Sequence, residues 1–353
     1  MPVQTVLGKV SKESLGVISP HEHIFIDATC RYTLPDDHLF IGAETAKICM
    51  ENLGLARRNA FLLKDNLIYD NYEIMLKELM YFKYAGGNTI VDVTIDGIGR
   101  SPKMLRQMAY DTGLNIIMGC GYYCASAHPA HVKTLSVEEI ADEMLRDLTV
   151  GVKETGIKSG LIGEIGISDR MHPDEKKVLT AAARVQKQTG LGMHVHIFDW
   201  PVDGNRFPLG LEALDICEGQ GADVTRIAIN HMDVAADIDI DYCLEVARRG
   251  AYVQFDNFGQ EFPNDRPTRR FVAGPNATDI DRVRKLKMLC DAGYKDQLMI
   301  ACDLCKKTLL RHYGGWGFDH ILTNIVHTME DEGIDKETIS QMLHDNPARF
   351  LDT

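Results

Sequence analysis

Features that would mark several other protein classes are missing from this chain of 353 residues. There is no long basic run and the formal net charge is -13, which argues against nucleic-acid binding. No apolar run approaches the roughly 20 residues that a membrane span needs. The opening residues MPVQTVLGKV do not have the layout of a signal peptide. We therefore expect a cytoplasmic protein that binds neither nucleic acid nor a membrane.

The number of cysteines is odd, and the sequence has no internal repeat, linker or low-complexity segment. The 9 cysteines lie scattered through apolar segments, which in a chain of this length indicates reduced thiols of a cytosolic protein. The composition, 45% hydrophobic and 25% charged, is typical of a globular protein with a large core. We expect one domain that spans residues 1–353.

Short β-branched runs alternate with amphipathic helical patterns along the chain. The predicted strands occupy residues 17–26, 89–95, 115–123, 160–167, 192–198, 226–233, 251–259 and 298–305. They are too apolar for a half-solvated sheet, which favours a parallel sheet covered by helices on its faces. Eight such strand–helix units predict an α/β fold, a (β/α)8 TIM barrel.

Helix boundaries can be read at three places. Ser136 begins a capping-box pattern. Pro173 near the start and Gly190 just past the end bracket a second helix. A third helix is predicted over residues 279–292 and stops at Gly293.

Two long loops are expected, residues 28–74 after strand 1 and residues 259–278 after strand 7. In a barrel both lie at the C-terminal face, where active sites are built. The second loop carries Arg266, Arg269 and Arg270 in an otherwise acidic chain. A solvated loop or a subunit contact is one interpretation. The other is that Arg266 or Arg269 holds an anionic substrate group, since guanidinium matches carboxylate, sulfonate or phosphate bidentately.

The stretch VISPHEHIFID, residues 17–27, places His21 and His23 on the same side of the first strand, since strand side chains alternate. Near the ends of four later strands stand Glu164, His196, His231 and Asp303. Imidazole and carboxylate suit zinc and similar divalent ions. Six ligands exceed one tetrahedral site, whereas two metals about 3.5–4 Å apart with a bridging carboxylate would use them all.

At this point the chain resembles the phosphotriesterase-related family of the amidohydrolase superfamily over nearly its whole length. The motifs that carry the resemblance are PHEH, GEIG, NHMD, CDLC, YGGWGFDHIL and the closing NPARFL. The resemblance implies that His21, His23 and Asp303 bind a buried metal and that His196 and His231 bind a more exposed one. It also implies that Asp303 is catalytic and handles the proton of a bridging hydroxide.

The chain departs from the best-known family members in two ways. Those members bridge the metals with a carboxylated lysine, whereas the resemblance implies that Glu164 is the bridge here, and the nearest lysine, Lys158, precedes the strand. The organophosphate-degrading members carry a histidine after the strand-7 aspartate, where this chain has Asp256 followed by Asn257. Phosphotriester hydrolysis is therefore expected only as a weak side reaction.

Together these observations predict a hydrolase that uses two divalent ions. Zn²⁺ is the metal expected, with Mn²⁺ or Co²⁺ as alternatives. The expected substrate is a small carboxylic ester or lactone. It could be anionic or phosphorylated, because the loop of residues 259–278 carries arginines. An N-acyl amide hydrolase uses the same machinery, and a small-molecule-binding barrel that has lost catalysis is the rival from another class. We also expect a homodimer.

Several further residues have two open interpretations. Tyr122 and Tyr123 end the third strand, where Tyr123 can either contact substrate or pack. His194 has the parity of His196 but lies deeper, which indicates a core residue or a support for a ligand. Asp233 can orient His231 or lie in a solvated turn.

Overall fold

The computed structural model describes residues 2–32, 42–202, 205–264 and 274–352. Eight parallel strands form one sheet in a nearly closed barrel, with the hydrogen-bonded order β8-β7-β6-β5-β4-β3-β2-β1. These strands are β1 Val17–Glu22, β2 Gly87–Asp92, β3 Asn115–Cys120, β4 Leu161–Gly166, β5 Met193–His196, β6 Ile227–Ile229, β7 Tyr252–Phe255 and β8 Leu298–Ile300. The predicted (β/α)8 barrel is confirmed, because each strand lies beside its neighbour in chain order.

Helices cover the outside of the barrel. They are α1 Leu53–Arg58, α2 Tyr72–Tyr84, α3 Pro102–Thr112, α4 Val137–Thr149, α5 Pro173–Thr189, α6 Leu209–Gln220, α7 Ile240–Arg248, α8 Asp279–Asp291, α9 Val326–Asp331, α10 Lys336–Ser340 and α11 Asn346–Leu351. Two short antiparallel pairs lie outside the barrel, Val3–Thr5 with Gly8–Val10 and Ile26–Asp27 with Ile68–Tyr69. Among the described residues, none of these helices has the length and apolarity to cross a membrane.

The three predicted helix boundaries are confirmed. At the start of α4 the Ser136 side chain accepts a hydrogen bond from the backbone N–H of Glu139, and the Glu139 side chain accepts one from Ser136. Helix α5 begins at Pro173 and ends before Gly190. The φ of Gly190 is 70°, a left-handed conformation that glycine adopts without strain because it has no Cβ. An N-cap side chain such as that of Ser136 stabilises a helix by about 1 kcal/mol.

The strand predictions differ from the structure at one end. Each predicted strand extends beyond the carboxyl end of the observed one. The physical reason is visible after β6 and β8, where His231 and Asp303 have φ values of 61° and 46°. A left-handed backbone leaves the sheet, so polar residues that look like strand continuations belong to turns at the barrel mouth.

The barrel interior is filled in layers. On β7, alternation places Tyr252, Gln254 and Asp256 on the same face, from the floor of the barrel to its mouth. Phe350 of α11 closes the floor, with its ring centroid 5.4 Å from that of Tyr252 and 4.8 Å from that of His194. The candidate ligands lie at the other end of the barrel, at its mouth.

Glu22 joins the first and last strands of the barrel. In the described residues β1 and β8 share no backbone ladder. The fully buried Glu22 carboxylate instead accepts hydrogen bonds from the backbone N–H groups of Cys302 and Leu304, at 3.0 and 2.9 Å. Those two residues flank Asp303. The middle residue of His-Glu-His therefore holds the turn that carries another candidate ligand.

Candidate metal centre

The structure brings the six predicted ligands together at the mouth of the barrel. They are His21, His23, Glu164, His196, His231 and Asp303. They come from β1, β4 and β5 and from the segments that follow β1, β6 and β8. None of the six is more than 8% exposed, so polar groups that usually face water are gathered in one buried cluster.

The first group of donors surrounds Asp303. Its Oδ1 lies 3.1 Å from His23 Nε2 and 3.7 Å from His21 Nε2. The Glu164 carboxylate faces the same two nitrogens, with Oε1 3.5 Å from His23 Nε2 and Oε2 3.5 Å from His21 Nε2. These four residues converge on one small volume.

The second group of donors shares Glu164 with the first. Glu164 Oε2 lies 3.2 Å from His196 Nδ1 and 3.5 Å from His231 Nε2. The two imidazole nitrogens are 2.7 Å apart. Glu164 therefore stands between the two groups, which is the position that a bridging carboxylate needs.

The donor set fits divalent metal ions. Ligand atoms of His21, His23 and Asp303 lie within 4.8 Å of one another, as do those of Glu164, His196 and His231. Among the described residues, the fully buried Nε2 of His21 has no hydrogen-bond partner. A buried nitrogen without a partner costs about 1–3 kcal/mol, and coordination would remove that cost. Imidazole and carboxylate donors are those that zinc prefers.

Neighbouring side chains orient the two histidines from β1. His23 Nδ1 lies 2.8 Å from Thr94 Oγ1, and His21 Nδ1 lies 2.9 Å from Asn230 Nδ2. Contacts to Nδ1 fix both ring planes and leave both Nε2 atoms facing the carboxylates. The contact of His23 is of the usual kind for a metal-binding imidazole, because the Thr94 hydroxyl can accept the Nδ1 proton and leave Nε2 free to bind.

His231 is oriented by Asp256 and not by Asp233. Asp256 Oδ1 lies 2.8 Å from His231 Nδ1 and accepts the His231 backbone N–H at 3.0 Å. Asp233 accepts the backbone N–H groups of Asp256 and Asn257 and forms a buried ion pair with Arg282, with Oδ2 and Nε 2.9 Å apart. Asp233 thus holds Asp256, which in turn orients His231. It is buried and is not a solvated turn residue.

The pKa values of the candidate ligand carboxylates Asp303 and Glu164 are lowered although both groups are buried. Burial alone raises the pKa of Asp303, but the hydrogen bond and charge of His23 hold that pKa below its usual range. Burial also opposes the charged form of Glu164, yet its pKa is lowered by the hydrogen bonds of His196, His23 and His231 and by the charge of His21. Asp256 behaves differently, since burial raises its pKa to about 7 against the effect of His231.

A cavity of about 70 Å³ opens beside the cluster. It is smaller than the roughly 300–1,000 Å³ of ordinary ligand pockets, which favours a small substrate. Its aromatic wall consists of Phe61, Tyr123, Phe198, Trp200 and Phe262. Two cationic side chains, Arg31 and Lys306, also line it.

Of the two tyrosines that follow β3, Tyr123 faces this cavity. Its hydroxyl lies 2.7 Å from Arg31 Nη2 and 3.4 Å from His196 Nε2. Tyr122 turns away, since its hydroxyl donates to Glu143. Tyr123 therefore has the position of a substrate contact next to the second donor group.

The other expected substrate contacts, Arg266 and Arg269, lie outside the described residues, as does Arg270. The two cations that the structure does bring to the cavity, Arg31 and Lys306, were missed by sequence reasoning. A signal was available, because both follow ligand-bearing strands at the C-terminal face, Lys306 only three positions after Asp303.

His194 and the cysteines near β8 have supporting positions. His194 is fully buried one layer below the ligands and packs on Phe350. Cys302 and Cys305 stand on either side of Asp303, and both are free thiols. Cys305 Sγ lies 3.4 Å from Asp303 Oδ2 and lines the cavity.

Comparison with known proteins adds independent findings. A family model described as the phosphotriesterase family matches residues 1–351. A protein of Xenopus tropicalis named N-acetyltaurine hydrolase is 35% identical over 350 residues, which cover 99% of this chain and 97% of that protein. A resiniferatoxin-binding protein from Rhodobacter sphaeroides superposes with a TM-score of 0.93 at 32% identity, covering 99% of this chain and 95% of that one. A mutant of a phosphotriesterase-like lactonase from Deinococcus radiodurans gives 0.74 at 28% identity, covering 99% and 100%.

Proposed function

The chain belongs to the phosphotriesterase family, and from this premise we propose that it is a metal-dependent hydrolase of small N-acyl amides. The observation that carries hydrolysis is the buried Glu164 carboxylate between two groups of metal-compatible donors. Two divalent ions, Zn²⁺ in the first instance, are the cofactors that this arrangement suits.

The choice of an amide rests on two supports. The Xenopus tropicalis relative is named for the hydrolysis of N-acetyltaurine, a short acyl amide whose amine part carries a sulfonate. The cavity beside the cluster is small and lined by the cations Arg31 and Lys306. A small space with positive charge suits a short substrate with an anionic group.

The residues of the chain divide the chemistry among them. Bound divalent ions supply the Lewis acidity that activates water and polarises a carbonyl group. Asp303, ionised beside the cluster, accepts the proton of the attacking water and returns it to the leaving amine. The ions would be held by Glu164, His21, His23, His196 and His231, together with Asp303. Tyr123 offers a hydroxyl to the substrate from the cavity wall.

The carboxylic ester or lactone favoured by the sequence analysis is the second candidate. It is supported by the Deinococcus radiodurans neighbour, whose name describes a lactonase. The same residues would act on it, and the difference lies in the leaving group, an alcohol that is easier to expel than an amine. Weak phosphotriester hydrolysis remains a side reaction to be measured.

A panel of substrates tests the proposal. Turnover of N-acetyltaurine, N-acetyl amino acids, γ-butyrolactone, an aryl ester and a phosphotriester is measured with and without added zinc or manganese. We expect the highest kcat/KM for an anionic N-acyl amide. A higher value for the lactone would favour the second candidate. Metal binding without any turnover would favour a binding barrel, the class that the Rhodobacter sphaeroides neighbour's name describes.

The metal content gives a direct prediction. We expect close to two divalent ions per chain, because the ligands are too many for one site. Elemental analysis of protein purified without chelator is the measurement, with Glu164→Ala as the comparison variant, which should lose binding at the shared position. A wild-type content that stays at one ion after reconstitution would contradict the binuclear site.

The bridge gives a second prediction. Glu164 supplies its own carboxylate, so activity regained by the apoprotein on metal addition should not depend on bicarbonate. A carboxylated lysine would need it, but Lys158 precedes β4 and lines a different cavity with Gln4. Reconstitution in bicarbonate-free and bicarbonate-containing buffer is the measurement. A strong dependence on bicarbonate would mean that another group bridges the ions.

A further inference from the structure

Lys306 is a buried cation in the wall of the same cavity as Asp303. Only 7% of it is exposed, and it follows Asp303 by three positions in the turn after β8. Lysine is almost never this buried unless a charged partner compensates it. The groups that contact its ammonium nitrogen therefore indicate the role of Lys306.

Those partners are neutral. Lys306 Nζ donates to Gln260 Oε1 at 2.8 Å and lies 3.1 Å from Cys305 Sγ. It also lies 5.5 and 5.6 Å from the ring centres of Phe61 and Phe262. No carboxylate among the described residues lies within 4.0 Å of the ammonium nitrogen.

The adjacent residue provides an internal comparison. Lys307 is as buried, at 8% exposed, but its Nζ pairs with Asp65 Oδ1 at 2.9 Å. Lys307 does not line the cavity. Within the described part of the chain, the two consecutive lysines thus differ in one respect that matters, because only Lys306, which faces the cavity, lacks a carboxylate partner. A buried charge without a counter-charge is costly, and an anionic ligand would compensate it.

Gln260 connects this ammonium group to the reacting end of the cavity. Its Oε1 accepts from Lys306 while its Nε2 lies 3.2 Å from Asp303 Oδ2. One side-chain amide therefore spans the interval between Lys306 and Asp303. An anion held by Lys306 would be only a few bonds from a carbonyl carbon at the metal centre.

We propose that Lys306 binds an anionic group, a sulfonate or carboxylate, on the amine part of a short N-acyl amide. This inference rests on the proposed amide hydrolysis and names the residue that selects the substrate. Lys306 is accordingly a specificity residue, and the acyl group is left to face the donor cluster. The aromatic rings of Phe61 and Phe262 exclude water from the contact, which strengthens it.

Paired substrates test the assignment. N-acetyltaurine and N-acetyl-β-alanine carry an anion, whereas N-acetylethanolamine presents the same amide without charge. The wild type should prefer the anionic substrates. Lys306→Met should lower kcat/KM for them by roughly 10–100-fold, the loss of one charged hydrogen bond, mainly through KM. Turnover of N-acetylethanolamine should change little, and Lys307→Met should keep the wild-type preference.

The outcomes separate this proposal from the proposed function. A wild type without preference for the anionic substrates, or equal losses of Lys306→Met on charged and neutral substrates, would overturn the assignment. If no amide is turned over, the proposed function fails, and calorimetric titration with ethanesulfonate then decides about Lys306. Binding to the wild type and Lys307→Met but not to Lys306→Met supports the anion site. Equal binding to all three proteins, or none to the wild type, overturns it.

Discussion

Replacement of Asp303 by asparagine is expected to lower kcat by roughly 10²–10⁴-fold, the usual loss when a general acid–base group is removed. Asp303 Oδ1 lies 3.1 Å from His23 Nε2, and its other oxygen lies 3.2 Å from Gln260 Nε2. The carboxylate thus contacts the ligand cluster while it lines the cavity. Asparagine is nearly isosteric, so the fold should persist, but it cannot accept and return a proton.

The leaving group distinguishes a proton carrier from a simple ligand. An alkyl amine must be protonated as it leaves, whereas p-nitrophenolate leaves without a proton. If Asp303 protonates the leaving group, Asp303→Asn should harm an N-acyl amide far more than p-nitrophenyl acetate. Steady-state kinetics on both substrates is the measurement, and it requires samples whose metal content matches the wild type.

Two results would contradict this role. A fully metallated Asp303→Asn protein that hydrolyses the amide at close to the wild-type rate would make Asp303 only a ligand. Equal losses of kcat on the amide and on the aryl ester would show that Asp303 does not protonate the leaving group. Its role would then be limited to the step in which water attacks.

The fold could be predicted because its signals are local. β-Branched runs mark the strands, and capping at Ser136, Pro173 and Gly190 marks two helices. The carboxyl ends of the strands could not be predicted in the same way. Whether His231 continues β6 or turns out of it depends on Asp256, which accepts both its backbone N–H and a hydrogen bond of its ring. That contact comes from the next strand and has no trace in the local pattern.

The candidate ligands could be predicted for a different reason. Parallel strands end at one face of a barrel, so a histidine or carboxylate near each strand end converges with the others. The i, i+2 spacing of His21 and His23 adds a shared direction. Residues that act through contacts across the barrel carry no such regularity. Glu22 faces away from the ligands and holds the turn around Asp303, which only the closed barrel reveals.

Substrate contacts were the least predictable part of the site. The sequence directed attention to the arginines of residues 259–278, because arginines cluster there. The cations that line the described cavity are Arg31 and Lys306, which stand outside that cluster of arginines. Their importance follows from burial and from the neutral groups around Lys306, and both are properties of packing.

The second large effect is expected from Asp256→Asn, which should weaken metal binding by roughly 10–100-fold, the usual cost of losing a carboxylate behind a ligand histidine. Asp256 Oδ1 lies 2.8 Å from His231 Nδ1 and is fully buried. Asparagine keeps the shape, but its amide oxygen is a weaker acceptor than a carboxylate. His231 would therefore be held less firmly and would be a poorer electron donor.

A matched control separates this effect from the general loss of a buried carboxylate. Asp199 is 1% exposed and pairs with Arg206 at 3.0 Å, and it does not line the cavity of the metal centre. Competition with a chelator of known affinity measures metal binding for both variants. Asp199→Asn should match the wild type while Asp256→Asn loses affinity. If both variants bind metal as the wild type does, then Asp256 does not orient His231, and the remaining contact to its Nδ1, from Asn257 at 3.5 Å, becomes the group to test.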